Sequence, residues 1–281
     1  MCRVFAFKSF IKSQVHSSLV AGKDSFMSWS KDHPDGWGVA YYLMGVPHII
    51  KSTDTAINDG LFTKVGGRIA SEVVIAHIRK ATAGITDLVN THPFQYGPWV
   101  FIHNGNIKNF KRHESALAAL VNPNLLKIRF GETDSELIFL IIMTEFQKDN
   151  LHYPAKSYDY DEVVGKVKIA LEKIQDIVGP FHREDGPPEE TYFTCALSDG
   201  KTLLGVQGGK PLFASRYKSR CSDRDHCPSF KLHCESPTES GIVSHFLLSS
   251  QAIAGENVWE EMKPGMIVGV DETMLYHEDE L

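Results

Sequence analysis

Cys2 stands directly behind Met1 in the opening Met1-Cys2-Arg3-Val4-Phe5-Ala6-Phe7, a placement in which one residue can act as both nucleophile and base. Removal of Met1 leaves Cys2 with a thiol and a free α-amine. An amine with a pKa of about 7.7–8.0 can take the proton of a thiol whose reference value is about 8.5. This is the activated-nucleophile scheme in which the terminal amine replaces histidine. Three further clusters carry complementary chemistry. In His77-Ile78-Arg79-Lys80-Ala81-Thr82-Ala83-Gly84, Arg79 offers a planar fork suited to a carboxylate and Thr82 a hydroxyl donor. In His103-Asn104-Gly105-Asn106, the Asn104 amide and the Gly105 N–H can form an oxyanion hole, each donor contributing about 3 kcal/mol in a transition state. In Gly131-Glu132-Thr133-Asp134-Ser135-Glu136, the Asp134 carboxylate can cap a helix or hold an ammonium. Each cluster also has a structural reading: Arg79 as an ion-pair residue, Asn104-Gly105 as a turn, and Asp134 as an N-cap.

The elements that must position these groups follow from apolar periodicity. Residues 2–7 alternate and predict a strand that holds Cys2 in place rather than on a fraying tail. Residues 17–30 have apolar positions at roughly helical spacing. Residues 37–43 and 46–51 predict a hairpin around Met44-Gly45. Residues 73–78 and 99–102 read as buried strands that end in polar loops carrying Arg79 and Asn104. Residues 134–146 form the clearest helix, with Leu137, Ile138, Ile141 and Ile142 on one face and Thr133 or Asp134 to cap its start. Residues 161–177 predict a second helix, flanked by loops at 148–160 and 181–190. Strands return at 192–198, 202–207, 212–215, 243–249 and 266–271. Strands, then two helices, then strands imply layers rather than a βα repeat.

The 281 residues are 42% hydrophobic, enough to bury a substantial core, and one domain spanning 1–281 is expected. The net charge of −6, with scattered lysines and arginines, argues against nucleic acid as a main partner. No apolar run long enough to span a membrane and no secretory leader are present, so a soluble cytoplasmic protein is expected. Five cysteines without a dense framework fit a reducing compartment.

Together these clusters resemble the class II glutamine amidotransferases, the N-terminal-nucleophile type, and in particular their small stand-alone members. The resemblance rests on Met1-Cys2-Arg3, Arg79-Lys80-Ala81-Thr82-Ala83-Gly84, His103-Asn104-Gly105 and Glu132-Thr133-Asp134-Ser135-Glu136, in the family's order and with similar separations. Asp35-Gly36-Trp37-Gly38 and Asn90-Thr91-His92-Pro93-Phe94 match further segments. It is specific over residues 2 to about 150 and weaker to about 270. The resemblance implies an α+β fold, a four-layer αββα sandwich of two mainly antiparallel sheets between helix layers. It implies that Cys2 attacks the side-chain amide of glutamine or a γ-glutamyl compound. Asn104 and Gly105 would stabilise the oxyanion, Arg79 and Thr82 would bind the α-carboxylate, and Asp134 the α-ammonium. No cofactor or metal is implied. Lys80 stands where many synthase-linked members have an aromatic residue. No acceptor-binding domain is recognised, so ammonia delivery would need a partner subunit.

Other readings remain open at this level: a Cys-His thiol hydrolase using Cys195 or Cys227, or a non-catalytic subunit that binds glutamine or a partner. Cys221, His226, Cys227, His233 and Cys234 gather in one segment, but their spacing is looser than that of structural zinc sites, and a polar surface loop is expected. His92, His103 and His245 are expected at strand ends with satisfied core hydrogen bonds.

Overall fold

The computed structural model describes residues 1–22, 24–81, 84–148 and 158–281. Its strands are β1 (Arg3–Gln14), β2 (Trp37–Leu43), β3 (Val46–Ser52), β4 (Ala70–Ile78), β5 (Phe94–Tyr96), β6 (Trp99–Asn106), β7 (Tyr192–Ser198), β8 (Leu203–Val206), β9 (Phe213–Lys218), β10 (His245–Ser249), β11 (Asn257–Glu261), β12 (Met266–Val270) and β13 (Tyr276–Glu280). Its α-helices are α1 (His16–Leu19), α2 (Gly60–Arg68), α3 (Phe110–Ala118), α4 (Pro123–Leu126), α5 (Asp134–Lys148) and α6 (Tyr160–Val178). Among the described residues the strands form one seven-stranded sheet, β11-β9-β10-β1-β4-β2-β3, and one six-stranded sheet, β13-β12-β8-β7-β6-β5. Neighbouring strands pair antiparallel in both.

The period of two along β1 creates the layers. Val4 and Ala6 point between the sheets and pack with Ile75, Ile102, Ala196 and Leu248. Phe5 and Phe7 point the other way and pack with Leu19, Phe26, Phe62 and Val65 from the helical segments outside the seven-stranded sheet. A third core lies between the six-stranded sheet and α5 and α6, where Phe101, Phe193 and Leu197 meet Leu137, Ile141 and Val167. The expected αββα sandwich is therefore the observed one. Helix α5 is buried almost all round, from Asp134 to Phe146, because it packs between the sheet on one side and α3 and α6 on the others.

The hairpin turn is the one expected: Met44 and Gly45 both have positive φ, 53° and 78°, the backbone that a two-residue turn matched to strand twist requires. Three differences bear on the site. Residues 17–30 do not form one helix; α1 ends at Leu19, Ser25 is extended at φ −68° and ψ 158°, and a 3-10 segment runs from Phe26 to Asp32. Leu19 and Phe26 both enter the same core, and the chain must turn to bury them. Strand β6 does not stop at 102 but continues to Asn106, so His103, Asn104 and Gly105 lie in a strand and not in a loop. The polar edge strand β13 and helices α2, α3 and α4 have no counterpart in the apolar pattern read above. Much of the expected loop at 148–160 lies outside the described residues.

The Phe101 and Phe139 rings stack with centroids 5.4 Å apart in the helix-facing core. Phe139→Ala is expected to lower stability by about 3–5 kcal/mol through lost burial and a residual cavity, read as a shift in the urea unfolding midpoint.

Candidate active site

Four of the segments singled out by sequence converge at one end of the sheet pair. Arg3 of β1 pairs with Ile78 of β4, which sets Cys2 beside Arg79 and Lys80. The Lys80 N–H donates to the Cys2 Sγ at 3.4 Å, and the thiol reaches the Lys80 carbonyl at 3.5 Å. Cys2 is half-buried. With Met1 attached, burial pushes its thiol pKa up, while the Lys80 backbone contact and the positive charges of the terminal amine and Arg79 oppose the rise. Burial also holds the Met1 amine below its ordinary value, and the cations of Lys80, Arg3 and Lys210 act in the same direction.

Arg79 is buried at the end of β4. Its guanidinium donates to the Ile85 carbonyl at 3.1 Å and to the Gly84 carbonyl at 3.4 Å. Asp35 braces this segment from the neighbouring turn: its carboxylate accepts from the Ala81 N–H at 2.8 Å, and the Arg79 N–H donates to the Gly36 carbonyl at 2.8 Å. Thr82 lies outside the described residues. Asn90 fastens the far side of the same turn, donating to the Ile85 carbonyl at 3.1 Å and accepting from the Glu132 N–H at 2.8 Å. Asn90 therefore ties the Arg79 loop to the start of α5.

Asp134 is buried at the first turn of α5. Its Oδ2 accepts from the Ile107 N–H at 2.6 Å and its Oδ1 from the Ser135 N–H at 2.7 Å. The carboxylate thus clamps the end of β6 to α5 and still faces Cys2, whose thiol it disfavours ionising. Glu136 clamps the preceding loop, accepting from the Phe130 and Gly131 N–H groups at 3.0 and 2.7 Å.

His103 explains the residues around it. Its Nε2 lies 2.9 Å from the Tyr192 carbonyl and its Nδ1 2.8 Å from the Ser135 Oγ. A carbonyl only accepts, so Nε2 carries the proton; burial, which lowers the His103 pKa, keeps the ring neutral, and Nδ1 then accepts from the Ser135 hydroxyl. A Cβ on Gly105 would sit 2.1 Å from the Tyr192 oxygen and 2.2 Å from His103 Nε2. Gly105 is required because this hydrogen bond passes through the space a side chain would fill. Asn104, between them, is buried, and its Oδ1 has no hydrogen-bond partner among the described residues.

The histidine expectation holds only for His103. His77 Nε2 reaches the His103 carbonyl at 3.3 Å but its Nδ1 is unpartnered. His92 lies in the loop before β5, packs against His77 with centroids 4.1 Å apart and ring planes tilted by 31°, and has neither ring nitrogen paired among the described residues. Both are neutral because burial pushes their pKa values down. Lys210 went unnoticed in the sequence: buried on the loop after β8, its ammonium lies 2.6 Å from Asp185 and 4.0 Å from the Tyr192 ring centroid, which fastens the 181–190 loop beside the site. Its surroundings come from three distant segments, so no local pattern marks it.

A family description, glutamine amidotransferases class-II, matches residues 1–277. The chain belongs to this family. DUG3 of Saccharomyces cerevisiae, named a probable glutamine amidotransferase, is 28% identical over 84% of this chain and 68% of its own length. An uncharacterized protein of Methanocaldococcus jannaschii is 32% identical over 98% of this chain and 71% of its own. A class-II domain protein from Silicibacter pomeroyi superposes with a TM-score of 0.64 at 17% identity, covering 100% of this chain and 99% of that one. That likeness fixes the fold, two antiparallel sheets between helix layers.

In this class II amidotransferase the other thiols stand apart from the site. Cys195 of β7 is 2% exposed, and burial pushes its pKa up to about 12, which removes it as a nucleophile near neutral pH. All five cysteines are free. Among the described residues no group of three or more His, Cys, Asp or Glu is placed to hold a metal ion, and no helix is long and apolar enough to cross a membrane.

Two outcomes follow from this geometry. Gly105→Ala is expected to break the His103–Tyr192 bond and lower stability by about 1–3 kcal/mol, the cost of a buried unpaired group, measured by urea unfolding. His77 has its pKa depressed to about 3, against about 6.5 in the unfolded chain. Between those values the unfolded chain binds a proton that the folded chain refuses, so stability falls as pH drops below about 6.5. Unfolding midpoints of His77→Gln, compared with the parent between pH 7.5 and 5, are expected to fall less steeply.

Proposed function

We propose that this amidotransferase, acting as one unit over residues 1–281, cleaves the side-chain amide of glutamine or the matching bond of a γ-glutamyl compound through a thioester on Cys2. The reading is supported by the seating of Cys2 against the Lys80 backbone next to Arg79, by an Asp134 carboxylate whose charge bears on its thiol, and by Asn104 buried on the strand that Asp134 clamps. Removal of Met1 frees the Cys2 amine, which takes the thiol proton. The thiolate attacks the δ-carbon, and the carbonyl oxygen becomes an oxyanion met by the Asn104 amide and the Gly105 N–H. Collapse of the tetrahedral adduct expels ammonia or an amine, which leaves with the proton. Water then attacks the thioester, releasing glutamate or the glutamyl acid and restoring the thiol.

Arg79, with Thr82, pairs with the substrate α-carboxylate, and Asp134 with its α-ammonium. The opposite charges of these two residues, on β4 and α5, select an amino acid in one orientation and place its side chain toward Cys2. Asp134 can serve a ligand and still hold Ile107, because a carboxylate has about four acceptor sites. The reaction ends at hydrolysis; transfer of ammonia to an acceptor would engage a partner subunit.

Intact-mass analysis before and after 6-diazo-5-oxo-norleucine, a diazo-ketone analogue of glutamine, tests the reading. The expected result is a chain lacking Met1 with one adduct on Cys2, no adduct and no glutaminase activity in Cys2→Ala, and a kcat lowered about 10²–10³-fold in Asn104→Ala, as for loss of one oxyanion donor. A processed chain that takes no adduct, or activity that survives Cys2→Ala, would overturn it. Retained Met1 with full activity would overturn the assignment of the amine as base.

A further inference from the structure

The far end of β1 borders a second cavity of about 700 Å³, within the size range of small-molecule sites. Strands β1 and β10 run antiparallel from it to the nucleophile: Ser9 pairs with His245 at the cavity, while the Val4 N–H donates to Ser250 Oγ at 3.2 Å beside Cys2. Phe7 and residues 9–14 of β1 line the cavity, which places it roughly 17–40 Å along the strand from Cys2 at about 3.3 Å per residue. It opens where the β1–β4 register shifts between Lys8 and Ser13. The segment carrying Cys221, Cys227 and Cys234, expected as a plain surface loop, forms its opposite wall.

Three features of the lining specify a ligand. Phe7, Val15, Val243 and Leu247 supply buried apolar walls, and Phe10, 64% exposed, and Ile242, 42% exposed, sit at the rim. Two lining residues carry buried polar atoms with no hydrogen-bond partner among the described residues, His245 Nε2 and Asn257 Oδ1; the amide oxygen only accepts, so it calls for a donor group on the ligand and not for its anionic oxygen. His245 is only 8% exposed, so an unpaired ring nitrogen there costs free energy until something bonds to it. The charge is one-sided: Lys12, Lys218 and Lys231 line the cavity against Asp223. Lys218 is paired with Glu256 at 3.1 Å; the Lys231 ammonium lies 5.4 Å from the Phe10 ring centroid, at the rim.

We propose that this cavity binds a small amphipathic anion, its ring or chain against the apolar walls, an anionic oxygen on the His245 side, and Lys12 and Lys231 at the mouth. The site is separate from the Cys2 centre and does not rest on the glutaminase reading. A neutral imidazole suits it, since Nε2–H donates to an anionic oxygen without a second buried charge; burial holds the His245 pKa near about 4.

The probe is 1-anilinonaphthalene-8-sulfonate, titrated by fluorescence into the full chain. The expected result is saturable binding of one dye per chain, at least tenfold weaker in Lys12→Glu/Lys231→Glu and at least tenfold weaker in Ile242→Trp, which fills the mouth from an exposed position. On the unmodified protein, N-phenyl-1-naphthylamine, the same rings without the sulfonate, is expected to bind at least tenfold more weakly. This comparison needs no variant to fold. No saturable binding, equal affinity for the two dyes, or undiminished binding by Ile242→Trp would overturn the proposal.

Discussion

The hydrogen bond from His103 Nε2 to the Tyr192 carbonyl is the constraint around which the site is built. It ties β6 to β7 beneath Gly105, and the other nitrogen of the same ring ties β6 to Ser135 on α5. Buried from water, such bonds are costly to break singly, so the strand carrying Asn104 and the helix carrying Asp134 move as one body. The His77 contact with the His103 carbonyl then joins that body to the sheet that carries Cys2. The Cys2 thiol, the Asp134 carboxylate and the Asn104 amide are held by different sheets and a helix, and this small set of polar bonds fixes their mutual position more tightly than apolar packing alone would.

The same burial that strengthens these bonds sets the charge state of the site. Desolvation raises the Cys2 thiol and lowers the Met1 amine in front of it, so with Met1 attached the two groups are driven further apart in proton affinity. It also keeps His77 and His92 neutral, which leaves the positive charge around Met1 and Cys2 to the terminal amine, Arg3, Arg79, Lys80 and Lys210. Asp35, Asn90 and Glu136 extend the framework outward by bonding backbone groups of the loops that flank Arg79 and Asp134. Their chemistry is that of positioning: each satisfies N–H groups that the turns leave open.

Legibility from the sequence varied with the source of each signal. Helices α5 and α6 and strands β2, β3, β4 and β7 were readable because their apolar period matches the face they bury. Helix α3 and strand β13 were not: Phe110-Lys111-Arg112-His113-Glu114 is mostly polar on an exposed face, and Tyr276-His277-Glu278-Asp279-Glu280 is a charged edge strand, protected from further pairing by those charges. The end of β6 was misread because His103, Asn104 and Asn106 are polar yet buried; the hydrogen bonds of His103 to α5 and β7 and of Asn106 to the Glu190 carbonyl offset part of that burial. The cavity at the far end of β1 gave a hint in the clustered cysteines and histidines, but two of its buried apolar walls, Phe7 and Val15, come from residues 200 positions or more away.

By itself the sequence determined the place of Cys2, the ordered motifs and the two-sheet layering, because these depend on residue type and on local periods of two and 3.6. The tertiary structure decided what no local pattern encodes. It brought the charges of Arg79 and Asp134 to bear on Cys2, gave Gly105 its reason through the His103–Tyr192 bond, excluded Cys195 by burial, and turned the Cys221–Cys227–Cys234 segment into the wall of a second cavity. Each of these is a contact between residues far apart in sequence, set by how the layers pack.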